Sequence, residues 1–356
     1  MSRETIAVLA PGPFVAGGQS VQAQALVAAL RSDGRQVDFL PTDPVNAPGW
    51  AAARRLPFVR TLCNLALYLP SLRRLARART ALIFSASYWS FVLAPLPALC
   101  AARLFGVRAI LVYHSGEADD HLTRWRRFLA PCLRLADRIV VPSEFLRDVF
   151  ARHGHATLVI PNVVDLRAFA YRERVPLLPR LLSARSLEAP YGVDNTVRAF
   201  ALLKRRRPDA TLTVAGGGRE LPQLRRLAER LGVGGVRFLG AVRPEAMPRL
   251  MDEADLFVNS STVDNQPVSL LEAFAAGTPV VSTGAGGIAR MVRDGENGRL
   301  VPAGDPRAMA EAIDDLLERP EGGRALARRA REEVLRHSWH RVRPLWDEVA
   351  GGGRSR

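Results

Sequence analysis

The chain has 356 residues, of which 48% are apolar and 24% charged, and its formal net charge is +15. A single hydrophobic core rarely grows to this size, so the length predicts two domains, and the apolar content excludes a disordered or collagen-like protein. The three cysteines, Cys63, Cys100 and Cys132, lack paired or metal-type spacing. We expect them to be buried, reduced thiols in a cytoplasmic protein.

Short apolar runs alternate with helical patterns along the first half of the chain. The predicted strands are residues 6–10, 36–40, 82–85, 109–113, 138–141 and 157–160. The predicted helices are residues 19–30, 50–79 (broken at Pro57 and Pro70), 88–105, 122–135 and 144–152. This alternation is typical of an α/β protein with a doubly wound parallel sheet.

Residues 80–102 contain no charge, and their length would just span a bilayer. Pro95 and Pro97 fall inside this run, however, and its start resembles a buried strand. A buried strand followed by a core helix is therefore favoured over a membrane span. The N-terminus has no long apolar run after a basic start, which predicts that there is no secretory signal.

The same alternation restarts at Arg180. The predicted strands are residues 180–183, 210–214, 236–239, 256–258, 279–281 and 299–301. We expect a first domain over residues 1–168 and a second over residues 169–337. The last segment, residues 338–356, is expected to form a helix over 339–349 and to be disordered from residue 351 on. Residues 165–179 are the expected linker. Ligands of wound sheets bind outside the carboxyl ends of the strands.

Two carboxylates eight residues apart, Asp264 and Glu272, are the main clue to function. Pro267 between them favours the start of a helix that runs to about Ala276. Unpaired N–H groups and the helix dipole at such a start favour an anionic ligand, while Glu272 can bind sugar hydroxyls. The pair predicts a nucleotide-sugar pocket. The alternative is a solvated Asp in a turn and a surface Glu.

The residues around this pair form an ordered set of landmarks. The spacing Asp264-x7-Glu272 is followed by Gly277-Thr278-Pro279-Val280-Val281, and the earlier landmarks are Gly17-Gly18, His114, Pro161-Asn162, Asp165, Arg185 and Gly216-Gly217-Gly218. This set resembles retaining glycosyltransferases of family 4, and the resemblance covers nearly the whole chain. It implies the GT-B architecture, in which two doubly wound Rossmann-like domains face one another across a cleft. The first would bind the acceptor and the second the donor.

The resemblance also implies roles for individual residues. Arg185 would contact the diphosphate, Glu272 the ribose and Asp264 the sugar, and His114 would lie near the reacting carbon. Backbone near residues 239–242 would flank the base. Further contacts to the donor would come from Gly17, Gly18, Tyr191, Gly216, Gly217, Asn265, Gln266, Val268 and Ser269. The donor would be a UDP- or GDP-linked sugar, the acceptor a lipid-linked sugar or growing polysaccharide. No metal or cofactor would be needed, since the leaving diphosphate itself accepts the proton of the acceptor.

Three positions depart from the family pattern. Tyr191 replaces a lysine of the usual cationic clamp, Asp264 replaces Glu, and Arg290 stands where an acid is common. A non-catalytic subunit that binds nucleotide sugar therefore remains an alternative. A GT-B-fold epimerase or phosphorylase is a second enzymatic alternative, and it is disfavoured because phosphorylases carry a lysine-bound pyridoxal cofactor and Lys204 is the sole lysine. A nicotinamide enzyme is disfavoured by the missing glycine fingerprint.

Positive charge is concentrated in the first half. Residues 1–168 contain 20 arginines and 11 acidic residues, a net charge of +9. This predicts peripheral contact with an anionic membrane at the inner face of the plasma membrane. Nucleic acid is not an expected partner, because no helix-turn-helix, zinc module or aromatic platform is found in the sequence.

Overall fold

A computed structural model describes residues 5–13, 17–46 and 57–351. These residues form two compact units. The first comprises residues 5–13, 19–46, 57–163 and 342–351, and the second comprises residues 17–18 and 164–341. Each unit contains one six-stranded parallel sheet with helices packed on it. The predicted α/β class with two wound sheets is therefore confirmed.

The first unit has the sheet order β2-β1-β3-β4-β5-β6. Its strands are β1 (Ile6–Ala10), β2 (Val37–Pro41), β3 (Thr80–Ser85), β4 (Arg108–Tyr113), β5 (Arg138–Val141) and β6 (Leu158–Val159). Its helices are α1 (Gly18–Ser32), α2 (Pro57–Ser71), α3 (Trp89–Leu93), α4 (Pro95–Leu104), α5 (Ala118–Arg124), α6 (Arg126–Leu133) and α7 (Glu144–Arg152). Strands β1 and β3 are buried along their whole length, because helices cover both faces of the sheet.

The uncharged segment from Thr80 to Ala102 contains a buried strand, β3, the short helix α3 and most of the helix α4, so it is a strand followed by helical structure as expected. Among the described residues, no helix combines the length and the apolar character that a membrane span requires.

Three helix predictions for the first half need correction. The helix predicted over 88–105 is two helices, because Ala94 precedes Pro95 and leaves the helical region. The helix predicted over 122–135 starts earlier and is divided at Trp125. Pro70 lies inside the last turn of α2 instead of breaking it, and the part of the predicted 50–79 helix before Pro57 lies outside the described residues.

The cysteine prediction is also partly wrong. Cys132 is buried, but Cys63 is half-buried and Cys100 is exposed. Cys100 lies on α4, whose core-facing side is formed by Ala98, Leu99 and Ala102 instead.

The second unit has the sheet order β12-β11-β10-β7-β8-β9. Its strands are β7 (Arg180–Ala184), β8 (Thr211–Ala215), β9 (Val236–Gly240), β10 (Leu256–Asn259), β11 (Val280–Thr283) and β12 (Arg299–Val301). Its helices are α8 (Val193–Arg206), α9 (Leu221–Arg230), α10 (Met247–Glu253), α11 (Val268–Ala276), α12 (Ile288–Met291), α13 (Pro306–Glu318) and α14 (Pro320–Val334). Helix α11 is buried along most of its length, and its apolar side chains pack with those of β7 and β10.

The last helix, α15 (Trp339–Gly351), brings the chain end to the first unit. Trp346 and Val349 are buried, and Arg35 of the first unit donates to Asp347. The hydroxyl of Thr80 also donates to the carbonyl of Ala350, at 3.4 Å. The residues after 351, which the sequence predicts to be disordered, lie outside the described residues.

A buried arginine fastens the segment that leads into the second unit. Arg174 is 1% exposed, and its guanidinium donates to the carbonyls of Met251 (2.8 Å), Ala254 (3.3 Å) and Ala276. Burial lowers the pKa of Arg174 to about 10, so the group stays charged at neutral pH. The cation thus joins the C-terminal ends of α10 and α11, where carbonyls lack helical partners and the helix dipoles favour positive charge.

We expect Arg174→Met to lower the stability of the second unit by about 3 kcal/mol, because buried carbonyls lose their donors. The melting temperature should fall on the order of 5–10 °C. Arg167→Met is the matched control, since the side chain of Arg167 is 93% exposed in the same segment. Equal melting of both variants and the parent would contradict a clamping role for Arg174.

Candidate functional site

The carboxyl edge of the second sheet is where a ligand site is expected. Strands β7 and β10 are neighbours, and the chain runs outward from them in opposite directions, to β8 and β9 on one side and to β11 and β12 on the other. The loops that follow β7 and β10 therefore diverge and leave a crevice at this switch point. Arg185 and Tyr191 lie after β7, and Asp264 lies after β10.

Two glycines let the loops after β7 and β8 approach closely. A Cβ atom at Gly216 would lie 1.7 Å from the carbonyl oxygen of Arg185, and one at Gly218 would lie 2.1 Å from that of Leu187. The backbone N–H of Leu187 also donates to the carbonyl of Gly217, at 2.8 Å. In the structure, the glycine triplet thus holds the loop that carries Arg185.

Arg185, Tyr191 and Asp264 form one cluster. The guanidinium of Arg185 donates to the carboxylate of Asp264, and the two side chains are only 10% and 13% exposed. The ring of Tyr191 covers the guanidinium, with 4.3 Å from the Arg185 Cζ atom to the ring centroid. The Nε of Arg185 is buried and has no hydrogen-bond partner among the described residues. A partly satisfied cation is therefore held in place between a carboxylate and an aromatic ring.

Backbone contacts fix both sides of this cluster. The hydroxyl of Ser260 donates to the carbonyl of Tyr191, at 3.2 Å. The same hydroxyl lies 2.8 Å from the hydroxyl of Thr196. The backbone N–H and the hydroxyl of Thr262 donate to the carbonyl of Pro190, at 2.8 and 3.0 Å. The loop of Tyr191 and the loop that leads to Asp264 are consequently one connected structure.

Helix α11 starts beside Asp264. Pro267 is its N-cap residue, with extended dihedrals, so the helix begins one residue later, at Val268. The N–H of Asn265 donates to the Asp264 carboxylate, at 2.9 Å, and is therefore already engaged. Within the described residues, the N–H groups of Val268 and Ser269 and the buried hydroxyl of Ser269 have no hydrogen-bond partner. This end of the helix can accept an anion or a ligand oxygen.

Glu272 lies one turn after Ser269, on the same face of α11. The side chain is half-buried, and burial raises the pKa of Glu272 from 4.5 to about 7. In the part of the chain that the structure describes, no hydrogen bond or ion pair involves this carboxyl group. A desolvated carboxylate of this kind favours a partner that donates hydrogen bonds, such as sugar hydroxyls.

Of the other predicted site residues, Gln266 directly precedes Pro267 in the second unit, and the rest lie near the start of the chain and in the first unit. His114 follows β4, and its ring stacks on Phe84, with 5.3 Å between the ring centroids. Burial lowers the pKa of His114 to about 4, so its imidazole is neutral at pH 7. Gly18 begins α1 and Gly17 precedes it.

His121, expected to be structural, is fully buried in the first unit. Its Nε2 accepts from the N–H of Tyr88, at 3.0 Å, and its Nδ1 lies 2.9 Å from the Tyr113 hydroxyl. Tyr88 has a φ of 55°, a strained value for a residue with a side chain. His121 therefore stabilises the turn that connects β3 to α3.

Comparison with known proteins gives the family. The family model described as "Glycosyl transferases group 1" matches residues 177–333, and the model described as "Glycosyltransferase Family 4" matches residues 16–168. The GDP-mannose-dependent alpha-(1-6)-phosphatidylinositol monomannoside mannosyltransferase of Mycolicibacterium smegmatis is 31% identical over 69% of this chain and 71% of its own length. The chain belongs to the group 1, GT-B-fold glycosyltransferases.

Other relatives and structures agree with this assignment. The phosphatidyl-myo-inositol mannosyltransferase of Mycolicibacterium smegmatis is 27% identical over 98% of this chain and 95% of its own length. Among solved structures, Anabaena HepE with UDP and glucose has a TM-score of 0.75 at 19% identity, covering 98% of this chain and 99% of its own. Sucrose-phosphate synthase from Thermosynechococcus elongatus has a TM-score of 0.77 at 21% identity, covering 98% of each chain. At these low identities, the similarity to the solved structures supports the fold of this chain and nothing more specific.

Sequence reasoning did not find the arrangement of the Arg185 cluster. It placed Tyr191 beside Arg185 at the diphosphate but assigned Asp264 to the sugar, whereas in the structure Asp264 pairs with Arg185 and the ring of Tyr191 covers the guanidinium. It also passed over Thr42 and Asp43, which directly follow β2 at the carboxyl edge of the first sheet. Their position after a strand was the available signal.

The raised pKa of Glu272 predicts a pH-dependent stability. Between its ordinary pKa of 4.5 and the folded value of about 7, the folded state binds more protons than the unfolded state, so stability falls as pH rises through this window. Glu272→Gln removes the ionisation. At pH 5 the variant should have the same melting temperature as the parent. At pH 8 its free energy of unfolding should be larger by about 1 kcal/mol, a value reduced for the partial exposure of the group.

Glu229→Gln, which changes an exposed carboxylate on α9, is the control for the general effect of removing a charge. If the Glu272 and Glu229 variants shift the melting temperature equally at both pH values, Glu272 is not desolvated.

Proposed function

We propose that this glycosyltransferase transfers a sugar from a nucleoside diphosphate sugar to a glycan or lipid-linked acceptor with retention of the anomeric configuration. The main support is a set of polar groups in the second unit that have no partner in the described part of the chain: the Nε of Arg185, the hydroxyl of Ser269 and the carboxylate of Glu272. A buried polar group without a partner is unfavourable, so such a set favours a ligand that supplies the partners. Solved relatives such as HepE are complexes with UDP.

Each group fits one part of such a donor. Arg185 is a forked cation suited to a diphosphate, and the start of α11 adds N–H donors and positive dipole. Glu272 is suited to the two ribose hydroxyls. Asp264, which pairs with Arg185 in the structure, is suited to the hydroxyls of the sugar. A diphosphate that engages Arg185 therefore exchanges one anionic partner of the guanidinium for another.

The transfer step that we propose uses few protein groups. The acceptor oxygen bonds to the anomeric carbon as the bond from that carbon to the diphosphate oxygen breaks, and the electron pair of the broken bond stays on the diphosphate. The acceptor proton passes to a diphosphate oxygen on the same face of the sugar. Arg185 and the N–H groups at α11 stabilise the charge that develops on the leaving group. His114 contributes a neutral polar group on the acceptor side.

The most direct test is incubation of the purified protein with labelled UDP- and GDP-sugars. We expect slow hydrolysis of one donor without acceptor and transfer with a suitable acceptor, and the anomeric configuration of the product, read by NMR, should match that of the donor. Binding of the nucleotide without hydrolysis or transfer would favour the non-catalytic alternative. An inverted product would contradict the retaining mechanism.

Glu272 and Asp264 should differ in calorimetry with UDP or GDP. Glu272→Ala should weaken nucleotide binding roughly ten- to a hundred-fold, because a charged hydrogen bond to ribose is lost. Asp264→Asn should not weaken it, since the substitution releases Arg185 for the phosphates, but should lower transfer. Equal nucleotide affinity and equal transfer in both variants and the parent would contradict a donor site at this helix.

The ring of Tyr191 should matter more than its hydroxyl. Tyr191→Ala removes the stack on Arg185, worth about 1 kcal/mol, and should weaken nucleotide binding about five-fold. Tyr191→Phe retains the ring and should bind like the parent. If the Phe variant is as weak as the Ala variant, the hydroxyl contacts the ligand and the stack is unimportant.

A further inference from the structure

The amino edge of the first sheet, where its strands begin, carries a row of arginines. Arg108 begins β4 and Arg138 begins β5, while Arg79 directly precedes β3. These three strands are neighbours in the sheet, so the arginines stand side by side at one edge. His114 follows the other end of β4, roughly 20 Å from Arg108 at the rise of an extended strand. A ligand of this edge is therefore separate from the groups near His114.

One arginine of this row has an unsatisfied group. The Nη1 atom of Arg108 is buried and has no hydrogen-bond partner within the part of the chain that the structure describes. Burial lowers the pKa of Arg108, and the nearby cations Arg138 and Arg79 lower it further, whereas Asp137 acts in the opposite direction. Positive charge therefore exceeds negative charge around Arg108, and an anion at this edge would stabilise it.

A cavity of about 200 Å³ adjoins the row. Its walls come from the start of β1, the loop after α1, the start of β3 and the end of α15. Arg35 and Arg79 line it, and no acidic side chain does among the described residues. Thr80, which also lines the cavity, pairs with Arg108 in the strand register. The side chain of Arg108 therefore points to the same face of the sheet, from a strand about 4.8 Å away.

The polar side chains that line the cavity offer mainly hydrogen-bond donors. Arg35 donates to the carboxylate of Asp347 on α15, and its other N–H groups are uncommitted within the described residues. The side-chain oxygen of Gln36 accepts from the Thr5 hydroxyl, at 3.1 Å, which leaves the amino group of Gln36 as a donor. The Thr80 hydroxyl makes only a long bond, 3.4 Å, to a carbonyl of α15. These groups suit the oxygens of an anion.

The volume of the cavity limits the size of this anion. Pockets for drug-sized ligands are typically on the order of 300–1,000 Å³, so the smaller cavity does not suit a nucleotide sugar. We propose that it binds a small phosphate, either the free anion or a monoester, and that this phosphate competes with Asp347 for Arg35. Arg35 and Arg79 pair with the phosphate, and the amino group of Gln36 donates to it. The site does not depend on the proposed function.

The contacts of α15 allow this competition. Asp347 pairs with Arg35, and its other carboxylate oxygen lies 3.5 Å from the Nε of Arg343. Arg343 also pairs with Asp33, at 3.3 Å, and Trp346 is buried. The helix therefore keeps an ion pair and its apolar contacts when Asp347 releases Arg35. A phosphate can replace Asp347 without undocking α15.

Calorimetry with inorganic phosphate and with glucose 6-phosphate, in chloride buffer at neutral pH, tests the site. Arg35→Ala should weaken binding roughly ten-fold, because a charged hydrogen bond is lost. Asp347→Asn should strengthen binding about three-fold, since Arg35 loses a competing carboxylate. The tighter of the two probes shows whether the site takes the free anion or an ester.

Two kinds of control accompany these variants. Arg147→Ala and Asp148→Asn change side chains of α7 that are 48% and 39% exposed and do not line the cavity. Both should bind phosphate like the parent. Arg185→Ala removes the cation proposed to hold the diphosphate in the second unit, and it should retain the binding that Arg35→Ala loses. Melting temperatures report whether each variant is folded.

The outcomes separate this site from the proposed donor site. No phosphate binding by the parent, or equal affinity in Arg35→Ala and the parent, overturns the phosphate site. Unchanged or weaker binding by a folded Asp347→Asn overturns the competition. Phosphate binding that Arg185→Ala loses and Arg35→Ala keeps assigns the anion to the donor site and overturns this inference. Absence of nucleotide binding and transfer in the parent, with phosphate binding intact, overturns the proposed function and leaves this inference standing.

Discussion

The contact between Arg185 and Asp264 is the interaction on which the ligand edge of the second unit depends. Both side chains are largely withdrawn from water, and a buried guanidinium without an anion would be strongly unfavourable. Asp264 therefore compensates Arg185 as long as no other anion is present, and Tyr191 fixes the plane of the guanidinium. The glycines at 216 and 218 and the bonds from Ser260 and Thr262 hold the loops that meet there.

This arrangement gives a physical reason for two departures from the family pattern. In place of a second cation, Tyr191 supplies an uncharged ring that stacks on Arg185. Because the charge of Arg185 is already balanced by Asp264, a second positive charge is not needed to position it. The shorter side chain of Asp264, in turn, lets one carboxylate oxygen bind Arg185 while the other accepts the N–H of Asn265. A single carboxylate thus connects the loop after β7 to the start of α11.

Much of the fold could be predicted from the sequence, because alternating apolar runs determine where buried parallel strands lie. All strands of both sheets were located to within two residues at their ends, and the uncharged run at Thr80 was correctly assigned to a buried strand followed by helical structure, although that structure is two helices instead of one. Helix breaks were less predictable, because a proline such as Pro70 is tolerated in a last turn but Pro95 distorts the residue before it. Contacts between distant residues, such as Arg174 with Ala276 or Arg185 with Asp264, leave no periodic signal.

The central claim is that Arg185 exchanges Asp264 for the diphosphate of a nucleotide sugar. A crystal structure of the protein with UDP, or with GDP if that nucleotide binds more tightly, tests it directly. The account predicts diphosphate oxygens within hydrogen-bond distance of Arg185 and of the first N–H groups of α11, and ribose hydroxyls on Glu272. A bound nucleotide that leaves the contact between Arg185 and Asp264 intact and touches neither Ser269 nor Glu272 would contradict it.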